Sequence, residues 1–389
     1  MTAKTHDDDY ALNKAAPDQT VRLPELDYRP PRPRRYQPKI GLIGCGGITQ
    51  QHLSAYQGAG YTIAALTDLD RQRAVERRDA FYPQADVEDS AESLLARADI
   101  DVVDLALHPK PRAPLILDAI AAGKHVLSQK PFVLDLVHGQ RAVEAADKAG
   151  VKLAVNQNGR WAPHVAWMHQ AIEAGLIGRV VSVDTAVHWD HNWTADTPFN
   201  DIPHLLLYDF AIHWFDMLHC YTRAFEPKRV YASLDQSASQ RARPPLLGQV
   251  QVEFAQGQAT LAFRADTRCG SSDRTVIVGD RGTLISQGPN LNDQTVTIYT
   301  EDGQATPALA GAWFPDGFAG TMGELLVAIE QDREPFNSGR DNLEALELCF
   351  AAMQSAETGA PVRADEVQQI KPEWLAYPEA AASRSKDGG

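Results

Sequence analysis

Three ionisable side chains share one apolar stretch of the sequence. Asp209, His213 and Asp216 occupy positions i, i+4 and i+7 of a long helix predicted near residues 204–223, so all three would lie on one helix face. Ionisable groups on a mostly apolar helix must pair with one another, bind a ligand or be solvated. The spacing therefore indicates either a functional site or a histidine stabilised by its contact with Asp209.

A lysine ends another apolar segment. Residues 125–128 form a strand-like run, and Lys130 and Pro131 follow shortly after it. In open α/β folds, ligands bind at the carboxyl ends of the parallel strands. Lys130 therefore stands where a ligand is expected, although a lone lysine at a strand end is more typically a solvent-facing residue.

A glycine-rich turn indicates a dinucleotide site. Residues 44–49 read Gly-Cys-Gly-Gly-Ile-Thr directly after the first predicted strand. Glycines permit a tight turn and let a pyrophosphate approach the amides of a helix N-terminus. Asp68 ends the second predicted strand, where a carboxylate accepts the ribose hydroxyls of an adenosine and repels a 2′-phosphate. The glycine turn and Asp68 together favour NAD over NADP. Two features depart from this pattern: Thr49 replaces the third small residue of the turn, and the cation of Arg71 lies near Asp68.

Hydrophobic periodicity predicts the elements that position these groups. Five short apolar runs alternate with helical patterns, which predicts a doubly wound parallel sheet. Successive alternating strands after residue 160 predict an α/β domain with a large open, mainly antiparallel sheet. The predicted units are an extended N-terminal arm at 1–38, an NAD-binding Rossmann domain at 39–157, a substrate-binding and oligomerisation domain at 158–378 and a disordered tail at 379–389.

The predicted arm is rich in proline, which disfavours regular helix and favours an extended conformation. One interpretation is a disordered leader. The other is an arm that packs on its own cofactor site or on a neighbouring subunit, because Leu23, Leu26 and Tyr28 give it apolar surface to bury.

Composition excludes several classes of protein. The chain has 389 residues, of which 44% are hydrophobic and 23% charged, as in globular proteins of more than one domain. The net charge of −14 disfavours nucleic acid as a partner, and no apolar run is long enough to span a membrane. Four cysteines without a Cys-x-x-Cys pair, and an amino terminus without a signal-peptide core, predict a cytoplasmic protein.

The combined motifs resemble the glucose-fructose oxidoreductase/inositol dehydrogenase (Gfo/Idh/MocA) family. The resemblance extends from about residue 39 to 362 and rests on five features. They are the glycine turn, Gly-Lys-His-Val at 123–126 before Lys130-Pro131, the Asp209-x-x-x-His213 spacing, and the closing segments 338–342 and 355–359. The family resemblance implies a Rossmann domain followed by an α/β domain whose large sheet forms the interfaces of homo-oligomers, either dimers or tetramers.

The resemblance also implies roles for individual residues. Lys130 matches the family's catalytic lysine, His213 its proton-transfer residue and Asp209 their carboxylate partner. Imidazole suits removal of a hydroxyl proton near neutral pH, and an ammonium stabilises negative charge that develops on the same oxygen. Gln129 replaces the family's Glu, and Ala113 stands where a His is common. The expected cofactor-binding residues are Gly44, Gly46, Gly47, Ile48, Asp68, His108, Pro109, Gln129, Lys130 and Gln157.

Aromatic and polar residues that follow two strands predict a carbohydrate pocket. Indole rings stack on the C–H faces of a sugar or cyclitol while neighbouring polar groups bind its hydroxyls. Arg160, His188 and His191 could additionally meet an anionic substituent, whereas packing in the core or an interface is the alternative for Trp161 and Trp189. The expected substrate-binding residues are Lys130, Arg160, Trp161, His188, His191, Trp193, Asp209 and His213.

The sequence His188-x-Asp190-His191 also offers potential metal ligands, since His and carboxylate bind zinc or iron. On a strand, His188 and Asp190 share a face that His191 does not share. The family resemblance implies no metal, so none is expected.

Three functions are compatible with these residues. The first is an NAD-dependent oxidoreductase that oxidises a secondary hydroxyl of a sugar, sugar derivative or cyclitol by hydride transfer. The second is a redox-neutral NAD-dependent glycosidase, in which oxidation, elimination, water addition and re-reduction use retained NAD. The third is a non-catalytic dinucleotide-binding regulatory protein, against which the joint presence of Lys130, Asp209 and His213 argues.

Overall fold

The amino-terminal half of the chain forms a parallel sheet. The computed structural model describes residues 19–377. The six strands are β1 (Lys39–Ile43), β2 (Thr62–Thr67), β3 (Asp86–Val87), β4 (Val102–Leu105), β5 (His125–Gln129) and β6 (Leu153–Asn156). They lie in the order β3-β2-β1-β4-β5-β6, and every neighbouring pair is parallel. The predicted doubly wound parallel sheet is therefore confirmed.

Apolar runs explain the burial of the central strands. β4 is buried at every position, and β1 is buried at all positions except Lys39, as is typical of strands that have helices on both faces. Asp104 is the exception in composition, because it places a carboxylate inside buried β4. The strand order reverses between β1 and β4, and a crevice opens at such a point beyond the carboxyl ends of the strands.

Helices connect these parallel strands. They are α1 (Thr49–Ala59), α2 (Arg71–Phe81), α3 (Ala91–Leu95), α4 (Pro109–Ala121) and α5 (Leu136–Ala149). Local sequence fixes their ends: Asp135 caps α5 by accepting a hydrogen bond from the main-chain N–H of His138, and Gly150 ends the helix with φ of 70°. Both are preferred residues for those positions.

The second sheet is large and mainly antiparallel. Its strands are β7 (Val180–His188), β8 (Pro227–Asp235), β9 (Leu247–Phe254), β10 (Gln258–Arg264), β11 (Ser272–Gly279), β12 (Gly282–Gly288), β13 (Thr295–Thr300), β14 (Gly303–Ala305) and β15 (Val362–Arg363). They lie in the order β14-β13-β12-β11-β7-β10-β9-β8-β15. β7 and β10 pair in parallel, and the other neighbours pair antiparallel. The predicted sheet is confirmed.

Further helices follow β6. They are α6 (Pro163–Glu173), α7 (Ile212–Tyr221), α8 (Trp313–Glu330) and α9 (Gly339–Thr358). α6, α7 and α9 contact the second sheet, whereas α8 packs against α1 of the amino-terminal half. Short 3₁₀ turns lie at Asn158–Trp161, Asn192–Asp196, Pro198–Asp201 and Pro372–Trp374. Within residues 19–377, no helix has both the length and the apolar character needed to cross a membrane.

The single helix predicted near 204–223 is wrong in its first half. Residues Leu205–Phe210 form a π-helix, and the α-helix begins only at Ile212. The main-chain N–H of Ala211 accordingly donates to Leu206 O, five residues earlier, at 2.8 Å. A π turn inserts an extra residue into the helix. Asp209 is therefore out of α-helical register with His213 and Asp216.

The described part of the amino-terminal arm lies against its own chain. Val21 N–H donates to Gln304 O at 3.0 Å, and Gln304 N–H donates to Gln19 O at 2.8 Å. Residues 1–18 of the predicted arm and the predicted disordered tail at 379–389 lie outside the described residues. Apolar side chains of the arm that pack against the core are Leu23, Leu26 and Tyr28.

One carboxylate anchors the end of the arm. The main-chain N–H groups of Arg34, Arg35 and Tyr36 donate to Glu330 at 3.0, 2.5 and 2.9 Å. These hydrogen bonds lower the pKa of Glu330, because they favour its charged form. Glu330 therefore fixes the turn by which the arm enters β1.

Replacing Glu330 with glutamine is expected to release this segment. Glutamine keeps the size of the side chain but loses its charge, so the hydrogen bonds to three amides weaken. Trypsin should then cleave after Arg34 or Arg35 several-fold faster, measured by the rate of appearance of the truncated chain. The same release is expected on acidification, once the pH falls through the lowered pKa of Glu330.

The matched control is Glu301→Gln, which changes an exposed glutamate in a turn. An unchanged cleavage rate in Glu330→Gln would show that the arm is held by its apolar contacts alone.

Candidate active site

An ion pair joins the two halves of the chain at the carboxyl edge of the parallel sheet. Lys130 directly follows β5, and its Nζ donates to Asp209 O at 2.7 Å and lies 3.3 Å from Asp209 Oδ1. The side chains of Lys130 and Asp209 are 17% and 32% exposed, so the pair is accessible yet shielded. The π turn supplies both the carboxylate and the free carbonyl that receive the ammonium.

His213 lies in the first turn of α7, beside this pair. Its ring packs edge-on against Trp313, with centroids 5.5 Å apart. Burial, and secondarily the Lys130 ammonium, hold the pKa of His213 well below its ordinary value. Its Nδ1 is buried and has no hydrogen-bond partner among residues 19–377. The site therefore contains a neutral imidazole with an unused nitrogen beside a cation.

His191 is a second neutral imidazole at this site. Trp189 Nε1 donates to His191 Nδ1 at 2.9 Å, which leaves the ring proton on Nε2. Burial lowers the pKa of His191 to about 4; Asp209 opposes that shift, and the Lys130 ammonium adds to it. His191 can therefore donate a hydrogen bond from Nε2 without carrying a charge.

Aromatic rings form one wall of the site. The rings of Trp189 and Phe210 stack at 4.0 Å, and Phe210 stacks on Trp214 at 4.6 Å. Trp193 packs against His191 at 5.1 Å, yet its side chain is 56% exposed. Exposed indole beside hydrogen-bonding groups suits the apolar face of a ring that carries hydroxyls.

The predicted glycine turn leaves open space at the N-terminus of α1. Gly44 has φ of 94°, and a Cβ there would lie 2.8 Å from Ala106 O. A Cβ built on Gly46 or Gly47 would meet no described atom within 4 Å, so the turn offers open space and free amides. These features fit a diphosphate at the N-terminus of α1.

Asp68 lies at the end of β2, beside the turn. Its Oδ2 accepts the Cys45 N–H at 2.7 Å, and its Oδ1 accepts the Asp70 N–H at 2.9 Å. Arg71, which the sequence left as a possible phosphate contact, pairs instead with Asp89. The carboxylate is thus oriented for a ribose, and this arrangement fits NAD.

Arg77 is a residue that sequence reasoning missed. From α2 it donates through Nε to Thr49 Oγ1 and through Nη2 to Gly46 O, both at 3.3 Å. It places a cation beside the glycine turn. Its neighbours in α2 are mostly charged, so composition alone does not distinguish it.

Apart from Gln129, which is the last residue of β5, the residues predicted to bind the cofactor follow strands of the parallel sheet. The glycine turn and Ile48 follow β1, Asp68 follows β2, and His108 and Pro109 follow β4. Gln157 follows β6; it is fully buried, and neither of its amide atoms has a partner within the described part of the chain. Such an orphaned amide fits a polar ligand at the same edge.

Gln129 differs from its predicted role. Its Nε2 lies 3.0 Å from His52 Nε2, and its Oε1 accepts the Lys130 N–H at 2.7 Å. With 7% exposure, the side chain is directed into the protein interior, so the expected contact with a cofactor ribose is corrected.

Arg160 and Trp161 are also corrected as substrate-binding residues. The Arg160 side chain is fully buried and lies 2.6 Å from both Asp216 and Asp341. Trp161 is 6% exposed and packs edge-on against Phe336 at 6.1 Å. The 3₁₀ turn that carries both residues buries them, so Arg160 is paired within the core and Trp161 packs there, which is the alternative given for this tryptophan.

His188 and Asp190 do not form a metal site with His191. His188 Nδ1 lies 3.2 Å from Ser272 Oγ, and Asp190 Oδ1 accepts hydrogen bonds from Asn192. Each side chain thus has its own partner. No group of three potential metal-ligating side chains occurs between residues 19 and 377.

Comparison with protein families gives two matches. Residues 38–157 match the model described as "Oxidoreductase family, NAD-binding Rossmann fold". Residues 165–285 match the "GFO/IDH/MocA C-terminal domain". Together the two matches cover more than half of the chain.

Curated relatives cover nearly the whole protein. D-apiose dehydrogenase of Paraburkholderia graminis is 28% identical over 86% of this chain and 92% of its own length. Inositol 2-dehydrogenase of Rhizobium meliloti is 27% identical over 82% of this chain and 96% of its own length.

Solved structures share the fold. An oxidoreductase from Agrobacterium radiobacter, in complex with NAD+, L-tartaric acid and magnesium, has a TM-score of 0.75 at 20% identity and covers 84% of this chain and 98% of its own. A levoglucosan dehydrogenase in complex with NADH and levoglucosan has a TM-score of 0.73 at 20% identity and covers 85% of this chain and 100% of its own.

Replacing Asp68 with asparagine is expected to raise the Kd for NAD about tenfold or more, because a charged acceptor for the ribose hydroxyls is lost. The ratio of the Kd for NADP to that for NAD should fall, since the repulsion of a 2′-phosphate is removed. Isothermal titration calorimetry measures both constants. Asp302→Asn, at an exposed carboxylate in a distant turn, is the control, and an unchanged preference in Asp68→Asn would contradict this assignment.

Proposed function

The chain belongs to the Gfo/Idh/MocA family of oxidoreductases with an NAD-binding Rossmann fold, and from that premise we propose that it is an NAD-dependent dehydrogenase acting on a secondary hydroxyl group of a sugar, sugar derivative or cyclitol. NAD is its cofactor. Relatives that are named for the oxidation of D-apiose and of inositol support this class of substrate.

The contact between Lys130 and Asp209 is the observation that carries the proposal. It brings an ammonium from the nucleotide-binding half to within 2.7 Å of a main-chain carbonyl on the π turn. His213, three residues after that turn ends, responds to the Lys130 charge. A hydroxyl group placed between them would meet a hydrogen-bond donor and a proton acceptor at once.

Each residue has a distinct part in this proposal. Lys130 binds the hydroxyl oxygen and stabilises the negative charge that develops there. His213, neutral because its pKa is lowered, accepts the hydroxyl proton on Nε2, since its Nδ1 is buried. Asp209 holds the ammonium in place. Nicotinamide, when bound, supplies the hydride acceptor.

The aromatic wall supports a carbohydrate over a smaller alcohol. Trp193 presents an exposed indole, and His191 has an Nε2–H available for a second hydroxyl. A ring that stacks on Trp193 and accepts a hydrogen bond from His191 Nε2 would be oriented before reaction, which lowers the entropic part of the barrier.

Lys130→Ala is expected to lose at least about a hundredfold in kcat, because charge stabilisation at the reacting oxygen is removed, while NAD still binds. The assay supplies NAD with a panel of free sugars, cyclitols and aryl glycosides, and it follows nicotinamide absorbance and aglycone release separately. Lys148→Ala, at an exposed lysine of α5, is the matched control.

Near-normal turnover in Lys130→Ala would refute the role given to this lysine. Aglycone release without a net change in nicotinamide absorbance would instead identify a redox-neutral glycosidase and overturn the dehydrogenase proposal.

The pH dependence of kcat/KM provides a separate prediction. Because the pKa of His213 lies well below its ordinary value, the imidazole stays unprotonated as the pH falls. The acidic limb of the kcat/KM profile should therefore lie below about 6.5, the ordinary histidine value. An acidic limb at or above that pH would show that a different base accepts the proton.

A further inference from the structure

A buried polar cluster lies beneath the segment that carries Lys130. His52 on α1 and Asp104 on β4 are both fully buried, and His52 Nδ1 lies 2.7 Å from Asp104 Oδ2. The Tyr56 hydroxyl donates to the same oxygen at 2.7 Å. Burial, and secondarily Asp104, raise the pKa of Tyr56, so the phenol keeps its proton. Asp104 therefore accepts from both neighbours, and the proton of His52 is on Nδ1.

The opposite ring nitrogen of His52 faces two amides. Gln129 Nε2 lies 3.0 Å and Asn156 Nδ2 lies 3.2 Å from His52 Nε2. The orientation of the Gln129 amide is fixed, because the Lys130 N–H donates to its oxygen at 2.7 Å and an N–H cannot accept. The Gln129 NH₂ group therefore points at His52 Nε2, which must be an acceptor. His52 is neutral.

A second buried group holds the same segment from the other side. Arg112 on α4 is fully buried and donates to the main-chain carbonyls of Leu107, Pro131 and Phe132. Burial lowers its pKa to about 10, so the guanidinium stays charged near neutral pH. Hydrogen bonds therefore fix both the Lys130 N–H and the carbonyls that follow it.

We propose that His52 and Asp104 are positioning residues that act through Gln129 to hold the main chain of Lys130, and with it the direction of the ammonium. The chain of contacts runs from Asp104 through the His52 imidazole to the Gln129 amide and then to the Lys130 N–H. These contacts hold whatever the chain's activity. Only the effect of the Lys130 main-chain position on turnover rests on the proposed function. The link requires at position 129 a side chain that donates to His52 and accepts from Lys130.

Gln129→Glu breaks this link in a pH-dependent way. The carboxylate keeps the acceptor for Lys130 but has no donor for His52 Nε2. The contact then forms only when one added proton lies between the carboxylate and Nε2, and it is lost as the pH rises and that proton leaves. The titratable and charged groups that face the pair are Asp104, Tyr56, Lys130 and, from α4, Arg112.

The first test observes His52 directly. Long-range ¹H–¹⁵N correlation NMR of the ¹⁵N-labelled chain reports the protonation of each imidazole nitrogen, and loss of a signal in His52→Gln assigns it. In the wild type at neutral pH, His52 should show a protonated Nδ1 and an unprotonated Nε2, as its contacts with Asp104 and Gln129 require. In Gln129→Glu, the Nε2 signal should shift with pH.

The matched control is Gln140→Glu, the same change at an exposed glutamine on α5, which should leave the His52 signals unmoved. A doubly protonated His52 in the wild type at neutral pH, or an Nε2 signal in Gln129→Glu that ignores pH, would overturn the inference. Neither result depends on whether the chain is a dehydrogenase.

The second test connects the cluster to turnover with the substrate that the panel identifies. Gln129→Glu should retain kcat at acidic pH and lose about tenfold or more as the pH rises, with the loss setting in at a lower pH than any fall in the wild type. The Kd for NAD should change less than kcat. A wild-type pH profile in Gln129→Glu, despite a titrating His52, would show that the cluster only packs the core.

Discussion

The hydrogen-bonded ion pair between Lys130 and Asp209 is the contact on which the site depends. It forms across the two halves of the chain, where the carboxyl end of β5 meets a π turn. An ammonium alone at a sheet edge would face solvent, and a carboxylate alone on an apolar turn would be costly to bury. Together they place one cation at a fixed position in the crevice beside β1 and β4, where the open fold binds its dinucleotide.

The groups that surround this pair carry no charge of their own. His213 and His191 are both kept neutral, chiefly by burial, so the cation has no charged imidazole competing for the substrate oxygen. The stacked rings of Trp189, Phe210 and Trp214 keep one side of the site apolar. The site thus combines one cation with neutral donors, acceptors and ring faces, and in the proposed reaction that cation would meet the reacting oxygen.

The sequence predicts what local patterns encode. Alternating apolar runs indicate the parallel sheet, and the glycine turn with Asp68 indicates the dinucleotide site, because strand ends converge at one sheet edge. Periodicity cannot detect the extra residue of the π turn, since each nearby side chain still fits an α-helical pattern. The buried pairing of Arg160 with Asp216 is a contact between distant segments. In the sequence alone, the Arg160 guanidinium therefore looks available to a ligand. One signal was present: Asp104 is a carboxylate in an otherwise apolar strand, which predicts a buried partner.

The most direct test of the central claim is a crystal structure of the chain with NAD and its polyol substrate. The distances to measure are those from one substrate hydroxyl oxygen to Lys130 Nζ and to His213 Nε2. Both should be about 3 Å, with the carbon that bears this hydroxyl facing the nicotinamide ring. A substrate whose reacting hydroxyl lies out of reach of either side chain, or on the far side of the ring from both, would contradict the account.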